Sequence, residues 1–166
     1  MSPPDNRIAV CPGTYDPVTF GHLDVIARAA RMFERLIVAV VNVPIRKGST
    51  LFSTDERVEL LSAEVTDLDN VEVESFDTLV VEFARRRGAH AIVKGLRSIT
   101  DFGYEFEMNQ LNRRQDPDIE SVYLMASPEY SFLSSSGVKE LATFGAAIDD
   151  LVPEPVARRL QERLAR

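Results

Sequence analysis

The sequence predicts an α/β fold in which an open, doubly wound sheet of five parallel strands is flanked by helices. Apolar runs of strand length alternate with helical patterns along the whole chain, as is typical of a parallel sheet with right-handed crossovers. The run LIVAVVNV, at residues 36–43, is nearly continuously apolar and rich in β-branched residues, as expected of a strand covered on both faces. No internal repeat or long linker divides the 166 residues. We therefore expect a single domain, residues 1–166, with a Rossmann-like architecture.

The first half of the chain contains the patterns of three strands and two helices. Strands are predicted at residues 8–10, 36–43 and 71–75. A helix is predicted over residues 21–33, where apolar residues recur at helical spacing on one face. A second helix begins at STDE, residues 53–56, which has the spacing of a capping box, and it continues to about residue 65.

The second half contains two further strands and four helices. Strands are predicted at residues 91–94 and 121–125, and helices at residues 79–87 and 98–114. The first of these helices is ended by Gly88. Two more helices are predicted to begin near Ser134 and at Pro153, since proline is favoured at a first helical position.

Composition excludes several classes of protein. The net charge of −7 argues against a general nucleic-acid binder, which usually carries a basic excess. Cys11 is the only cysteine, so no intrachain disulfide can form and a reducing compartment is expected. No apolar run approaches 18 residues, and MSPPDNR lacks the apolar core of a signal peptide. We expect a cytoplasmic protein with no membrane partner.

Ligands of open α/β sheets bind beyond the carboxyl ends of the strands. This rule selects five stretches of the chain, at residues 12–22, 42–47, 75–80, 94–97 and 126–136.

The first stretch, within CPGTYDPVTFGH, has the features of a phosphate-binding loop. Gly13 allows a close backbone approach, and His22 opens a helix whose N–H groups attract an anion. His22 could donate a ring N–H to a phosphoryl oxygen. The alternative is a histidine that only caps or packs against the helix. Neither a Gly-x-Gly-x-x-Gly fingerprint nor a Walker A sequence is present, so a dinucleotide fold and a P-loop NTPase are disfavoured.

Two further stretches carry groups suited to phosphate. Lys94 and Arg97 leave the predicted fourth strand as two cations three residues apart, which suits two phosphate groups. The alternative is that both are solvated surface residues. Ser134, Ser135 and Ser136 fall at a helix N-terminus, and plain N-capping explains only one of them.

Three segments of the chain resemble a known family. PGTYDPVTFGH is similar to the signature of the nucleotidyltransferase superfamily, in which Thr or His precedes any residue, Gly and His. The version with Thr19 resembles the phosphopantetheine adenylyltransferase family. VKGLRSITDFGYEFEMNQLNR (residues 93–113) and EYSFLSSSGVKE (residues 129–140) are similar to that family's central and third motifs. The resemblance covers about residues 7–164.

The resemblance implies that ATP and 4′-phosphopantetheine react to give dephospho-coenzyme A and pyrophosphate, with Mg²⁺ assisting, in coenzyme A biosynthesis. It also implies a homohexamer and feedback binding by coenzyme A. The ATP contacts that it implies are Thr14, Tyr15, His22, Gly95, Leu96, Arg97, Glu105, Tyr130, Ser131, Phe132, Leu133, Ser134, Ser135 and Ser136.

The implied contacts with the acceptor are Thr14, Arg46, Val80 and Lys94. Position 46 departs from the family, which usually has Lys there. Either Arg46 takes the role or Lys47 reaches in from the next position, and Arg46 is favoured. No residue looks like a covalent nucleophile, because Cys11 follows a buried strand without a candidate base.

The catalytic residues are therefore predicted to be His22, Lys94 and Arg97, acting by proximity and electrostatics. Asp16 and Asp101 have turn-shaping and first-turn interpretations, and neither is assigned to a metal. In the resembled family Mg²⁺ is held largely by the phosphates, so no protein ligand is predicted.

Two other functions remain open at this point. One is a nucleotidyltransferase that acts on nicotinamide mononucleotide or on a sugar or polyol phosphate. The other is a catalytically silent nucleotide-binding module. For assembly, the apolar residues Phe102, Phe106 and Leu111 are either subunit contacts or ordinary core.

Overall fold

The computed structural model describes residues 7–43 and 48–164. In this part of the chain, five strands form one sheet, in the order β3-β2-β1-β4-β5, and every neighbouring pair is parallel. The predicted fold class is therefore confirmed. The strands are Ile8–Gly13 (β1), Arg35–Val41 (β2), Val71–Phe76 (β3), Ala91–Leu96 (β4) and Glu120–Met125 (β5).

Helices cover both faces of the sheet. Their bounds are Phe20–Ala30 (α1), Thr54–Glu64 (α2), Val80–Arg86 (α3), Ile99–Gln115 (α4), Ser135–Thr143 (α5) and Glu154–Leu164 (α6), with a single 3₁₀ turn at Pro128–Tyr130. Buried residues of α1, α2, α5 and α6 belong to one core, and those of α3 belong to a second core. No helix in the described part of the chain combines the length and the apolar character that crossing a membrane requires.

The central strand β2 shows why the sheet is covered on both sides. Leu36, Val38 and Val40 enter the first core, whereas Ile37 and Ala39 enter the second. All five are fully buried, because successive side chains of a strand point to opposite faces. The continuous apolar run in the sequence therefore supplies alternate residues to two cores, one on each face of the sheet.

Strands β1 and β4 are the neighbours at which the direction of winding reverses. Their ladder pairs only Ala9 with Ala91 and Val10 with Ile92, although β1 continues to Gly13 and β4 to Leu96. Both strands are longer than predicted, since the sequence indicated ends at residues 10 and 94. The extra residues are paired on the outer sides, with β2 and β5. The inner edges beyond these pairs have no ladder partner, and they lie at the position where such sheets have their ligand-binding crevice.

Helix α4 exposes its large apolar residues, whereas an ordinary surface helix buries them against the core. None of its residues is buried, and Phe102, Phe106 and Leu111 are about half exposed. The half-buried positions include the polar residues Glu105 and Asn109. The interpretation of the three apolar residues as ordinary core is therefore wrong for the described chain. In the described chain, α4 therefore presents an apolar face to solvent and several polar groups towards the sheet.

Candidate active site

The first turn of α1 is closed by a reciprocal pair of hydrogen bonds. The backbone N–H of Thr19 donates to Nδ1 of His22 at 3.0 Å, and the N–H of His22 donates to the Thr19 hydroxyl at 3.4 Å. This is a capping box with histidine in the place of the usual Glu or Gln. Because Nδ1 accepts, the neutral imidazole carries its proton on Nε2, which makes Nε2 a donor. Capping and phosphate donation are therefore compatible roles of one ring.

The turn after β1 is shaped by the ring of Tyr15. This residue has a φ of 50°, its side chain is buried, and its hydroxyl donates to the carbonyl of Cys11 at 2.9 Å. A Cβ at Gly13 would lie 2.8 Å from the Tyr15 ring, so only glycine fits there. The ring also meets His22 edge-on, with centroids 5.1 Å apart. Any ATP contact of Tyr15 is therefore left to its backbone.

A buried carboxylate fastens the same turn to two other segments. Asp16 is 3% exposed and accepts from the N–H groups of Leu51 and Phe52, each at 2.9 Å. The ammonium of Lys139, on α5, donates to it at 2.9 Å. The hydroxyl of Ser135 adds a bond to the carbonyl of Pro17 at 2.8 Å. Asp16 thus does more than shape a turn, because it holds α5 against the loop after β1.

Arg97 connects the end of β4 to the start of α5. Its Nη1 donates to the carbonyl of Leu133 at 2.9 Å, and its Nε donates to Asp101 at 3.2 Å. Leu133 directly precedes Ser134, whose hydroxyl caps α5 by accepting from the N–H of Gly137 at 3.0 Å. The guanidinium therefore lies beside a helix N-terminus, and both groups favour an anion.

Lys94 is paired within the protein. Its ammonium lies 2.8 Å from a carboxylate oxygen of Glu105, and both side chains are largely buried. Lys94 lies inside β4, not at its end as predicted. The next residue, Gly95, is in close contact with α1, because a Cβ there would lie 2.9 Å from Cγ2 of Val25. A phosphate at Lys94 must share or replace the carboxylate partner.

Two further residues that were predicted to contact ATP have buried side chains, so only their backbone groups are left to contact a ligand. The side chains of Leu96 and Leu133 are buried in the described structure. The carbonyl of Leu96 accepts from the N–H of Ala126 at 2.7 Å. The other predicted residues from this region have side chains at least partly exposed near the start of α5: Tyr130, Ser131, Phe132, Ser134, Ser135 and Ser136.

The acceptor residues are only partly brought together. Thr14 lies at the carboxyl end of β1, and Lys94 lies on the neighbouring β4. Val80 begins α3, which packs on the second face and contacts β1 and β4. Arg46 and Lys47 lie outside the described residues, so the choice between them stays a prediction.

Arg57 was not predicted from the sequence as a functional residue, although it joins the segments that follow β1 and β2. Arg57 on α2 is 1% exposed and bonds to groups of the segments after β1 and β2. A signal was available, because Arg57 stands three and four residues before Leu60 and Leu61, on the helix face that helical spacing assigns to the core. A charged residue on such a face points to buried hydrogen bonds.

The described carboxylates do not form a metal centre. No group of three or more His, Cys, Asp or Glu side chains within residues 7–43 and 48–164 is placed to hold a metal ion. Asp16, Asp101 and Glu105 are each bonded to a cationic side chain of the protein. These residues fit a magnesium ion that arrives on phosphate oxygens better than one held by carboxylates.

Comparison with known proteins identifies the family. The model of the cytidylyltransferase-like family matches residues 10–141. A phosphopantetheine adenylyltransferase of Caldanaerobacter subterraneus is 50% identical over 157 residues, which are 95% of this chain and 97% of that protein. That of Symbiobacterium thermophilum is also 50% identical, over 95% of this chain and 96% of that protein. This chain belongs to the phosphopantetheine adenylyltransferase family.

The fold extends beyond the phosphopantetheine adenylyltransferase family. A solved structure described as a candidate nicotinate-nucleotide adenylyltransferase from Vibrio parahaemolyticus superimposes with a TM-score of 0.70. The alignment covers 96% of this chain and 94% of the other, at 17% sequence identity. Such a likeness supports the sheet and its crevice but not a choice of acceptor.

Cys11 should be chemically inert in the folded protein. Burial raises the pKa of its thiol, so less thiolate is present at a given pH, and the thiolate is the reactive form. We expect Ellman's reagent to leave Cys11 unmodified in native protein at pH 8 and to titrate one thiol per chain after unfolding in guanidinium chloride. Rapid labelling of the native protein would show that the thiol is accessible and would reopen it as a functional group.

Proposed function

We propose that this protein transfers the adenylyl group of ATP to 4′-phosphopantetheine, giving dephospho-coenzyme A and pyrophosphate in coenzyme A biosynthesis. The observation that carries the proposal is the bond from Arg97, just after β4, to Leu133, directly before the capped start of α5, while His22 lies in the first turn of the helix that follows the neighbouring β1. The names of relatives at 50% identity over nearly the whole chain support the acceptor.

The reaction needs positioning more than covalent chemistry from the protein. An oxygen of the acceptor's phosphate attacks the α-phosphorus of ATP in line. The bond from that phosphorus to the oxygen bridging to the β-phosphate breaks, and pyrophosphate leaves with the electron pair. Negative charge spreads over the transferred group, so fixed donors and cations stabilise the transition state.

His22 supplies a donor whose direction is fixed before substrate arrives. The Thr19 N–H holds Nδ1 at 3.0 Å, so Nε2–H is the donor for an α-phosphate oxygen. Tyr15 packs against the ring and limits its rotation. A donor oriented in advance loses little entropy when the reaction begins, and this is the main advantage of preorganised sites.

Arg97 and Lys94 are assigned to different pairs of phosphate groups of the substrates. Arg97 uses Nε and Nη1 for Asp101 and Leu133, and its Nη2 makes no bond with the described residues. That group is assigned to the α- and β-phosphates. Lys94 is assigned to the α-phosphate of ATP and the attacking phosphate of the acceptor, and its partner Glu105 is assigned to ATP.

The two ends of the substrates are assigned to the flanking loops. The pyrophosphate end of ATP would lie at the capped start of α5, at Ser134, Ser135 and Ser136, where helix N–H groups attract phosphate. Thr14 lies between the reactants. Arg46 orients the incoming phosphate, and Val80 contacts the pantetheine arm. Magnesium bound to the phosphates of ATP would neutralise part of their charge.

The cysteine content agrees with a protein of the cytoplasm. The single, buried cysteine suits the reducing conditions of the cytoplasm. Feedback binding of coenzyme A, which the family resemblance implies, stays a prediction.

A pyrophosphate-release assay with several acceptors tests the activity. We expect turnover with ATP, Mg²⁺ and 4′-phosphopantetheine, and none with nicotinamide mononucleotide at the same concentration. Absence of turnover with phosphopantetheine would refute the proposal. Calorimetric binding of ATP without pyrophosphate release from any acceptor would identify a silent nucleotide-binding module instead.

Replacement of His22 tests its assigned role. His22→Ala removes the oriented donor, so kcat should fall about 100- to 1,000-fold while the Kd for ATP changes little. The matched control is His90→Ala, which removes the only other histidine. His90 is exposed and lies immediately before the first residue of β4. A turnover close to wild type in His22→Ala would show that the assigned role is wrong.

The apolar face of α4 supports the proposed hexamer. Phe102, Phe106 and Leu111 are too exposed to belong to this chain's core, and copies of the chain would cover them. Sedimentation velocity should give a hexamer for the wild type and a smaller species for Phe106→Asp. Met32→Asp, a comparable change at an exposed residue after α1, should leave the mass unchanged. A monomeric wild type would contradict the proposed assembly.

A further inference from the structure

Arg57 is a buried cation with no substrate role in the scheme above. It belongs to the first two turns of α2, next to Glu56 of the capping box, and its side chain is 1% exposed. Burial lowers the pKa of its guanidinium, but its usual value is so high that the group stays charged at neutral pH. A charge in this position is costly unless its donors are fully bonded.

All three nitrogens of the guanidinium are bonded, and every acceptor is uncharged. Nε donates to the carbonyl of Phe52 at 3.3 Å. Nη1 donates to the carbonyls of Thr14 and Val41, at 2.7 and 2.8 Å. Nη2 donates to the carbonyl of Asn42 and the hydroxyl of Thr54, each at 3.1 Å. These five bonds match the five N–H groups that a guanidinium carries.

Three of the five hydrogen-bond acceptors come from the two segments that the proposed function assigns to phosphopantetheine. The Thr14 carbonyl belongs to the turn after β1, and those of Val41 and Asn42 end β2 and begin the segment that leads to Arg46. Thr14 and Asn42 lie just beyond the last residues of β1 and β2, and Val41 is the last residue of β2, so the guanidinium joins the two segments at the point where they leave the sheet. Arg57 makes no bond with His22, Arg97 or the start of α5 in the described structure.

We propose that Arg57 is a positioning residue for the phosphopantetheine half of the site, because it sets the distance between the Thr14 turn and the end of β2 at Val41 and Asn42. The proposal rests on the proposed function, since it assumes that those two loops hold the acceptor's phosphate. Arg57 touches neither substrate. It acts through Thr14 and through the backbone of Val41 and Asn42, and misplacement of such groups by about 1 Å can cost about 100-fold in rate.

The arrangement needs arginine and not merely a positive charge. A lysine ammonium has three donors on one atom and cannot bridge the Thr14 and Asn42 carbonyls in the same plane. Arg57→Lys therefore keeps the charge but leaves buried carbonyls without partners. The two loops should then lose their fixed separation, while Lys94 and Arg97, to which Arg57 does not bond, keep their own contacts.

The test compares Arg57→Lys with Leu61→Ala. Leu61 lies one turn further along α2, is fully buried in the first core, and has no polar side-chain atom that could bond to the loops. Both variants should lower the thermal unfolding midpoint. Only Arg57→Lys should lower kcat/KM for phosphopantetheine by about 100-fold, and calorimetry should find the Kd for Mg·ATP within about threefold of wild type in both.

Three outcomes would overturn the proposal. Arg57→Lys could weaken ATP and acceptor equally, it could leave acceptor kinetics unchanged, or Leu61→Ala could reproduce the acceptor-specific loss. Wild-type protein in the same assay separates this failure from that of the proposed function. If the wild type releases no pyrophosphate with phosphopantetheine, the function is wrong, whatever the variants do.

A milder variant decides the matter if Arg57→Lys does not fold. Thr54→Val keeps the side chain's shape but removes the hydroxyl that accepts from Arg57 and donates to Asn42 Oδ1 at 2.6 Å. We expect kcat/KM for phosphopantetheine to fall about 5- to 10-fold, again with ATP affinity kept. Where both variants fold, the Thr54→Val effect should disappear in the Arg57→Lys background, because coupled residues are not additive. Unchanged acceptor kinetics in Thr54→Val would count against the proposal.

Discussion

The early end of the ladder between β1 and β4 is the constraint on which the rest of the site depends. The ladder pairs Ala9 with Ala91 and Val10 with Ile92 and goes no further, although both strands continue for several residues beyond. Backbone groups on the inner edges of that extension are left without strand partners. Residues such as Pro12, which has no N–H, are tolerated there at no cost to a ladder with β4. The sheet thus provides a cleft without needing a long loop or a second domain.

Side chains, and not backbone ladders, fasten the segments around this cleft. Asp16 joins the turn after β1 to the start of α2 and to Lys139 on α5. Arg97 joins the end of β4 to the segment before α5. Each link places a charge in a partly or fully buried position, which is favourable only when its bonds are complete. Hydrogen bonds and ion pairs therefore hold the segments around the cleft in place, whereas apolar packing holds the sheet beneath it.

The fold could be predicted from the sequence because its signals are local. Alternating strand and helix patterns, the apolar run of β2 and the capping residues Ser53 and Ser134 all depend on near neighbours in the chain. The positions of His22 and Arg97 at the carboxyl edge followed from the same patterns. Partnerships over long separations could not be predicted in this way. Nothing near Arg57 or Asp16 in sequence indicates that Thr14 or Lys139 is the partner, since chain topology alone brings them together. The exposed apolar side of α4 was equally ambiguous, because a helical pattern does not say which face meets the sheet.

The pairing of Lys94 with Glu105 has a consequence for which anions the protein retains. A simple inorganic ion that approached Lys94 would draw the ammonium away and leave a largely buried carboxylate without its cation. That loss offsets most of the attraction, because an uncompensated buried charge is costly. An anion that shares the ammonium with Glu105 avoids that loss, because the carboxylate keeps its cation. The ion pair therefore disfavours anions that need the ammonium for themselves alone.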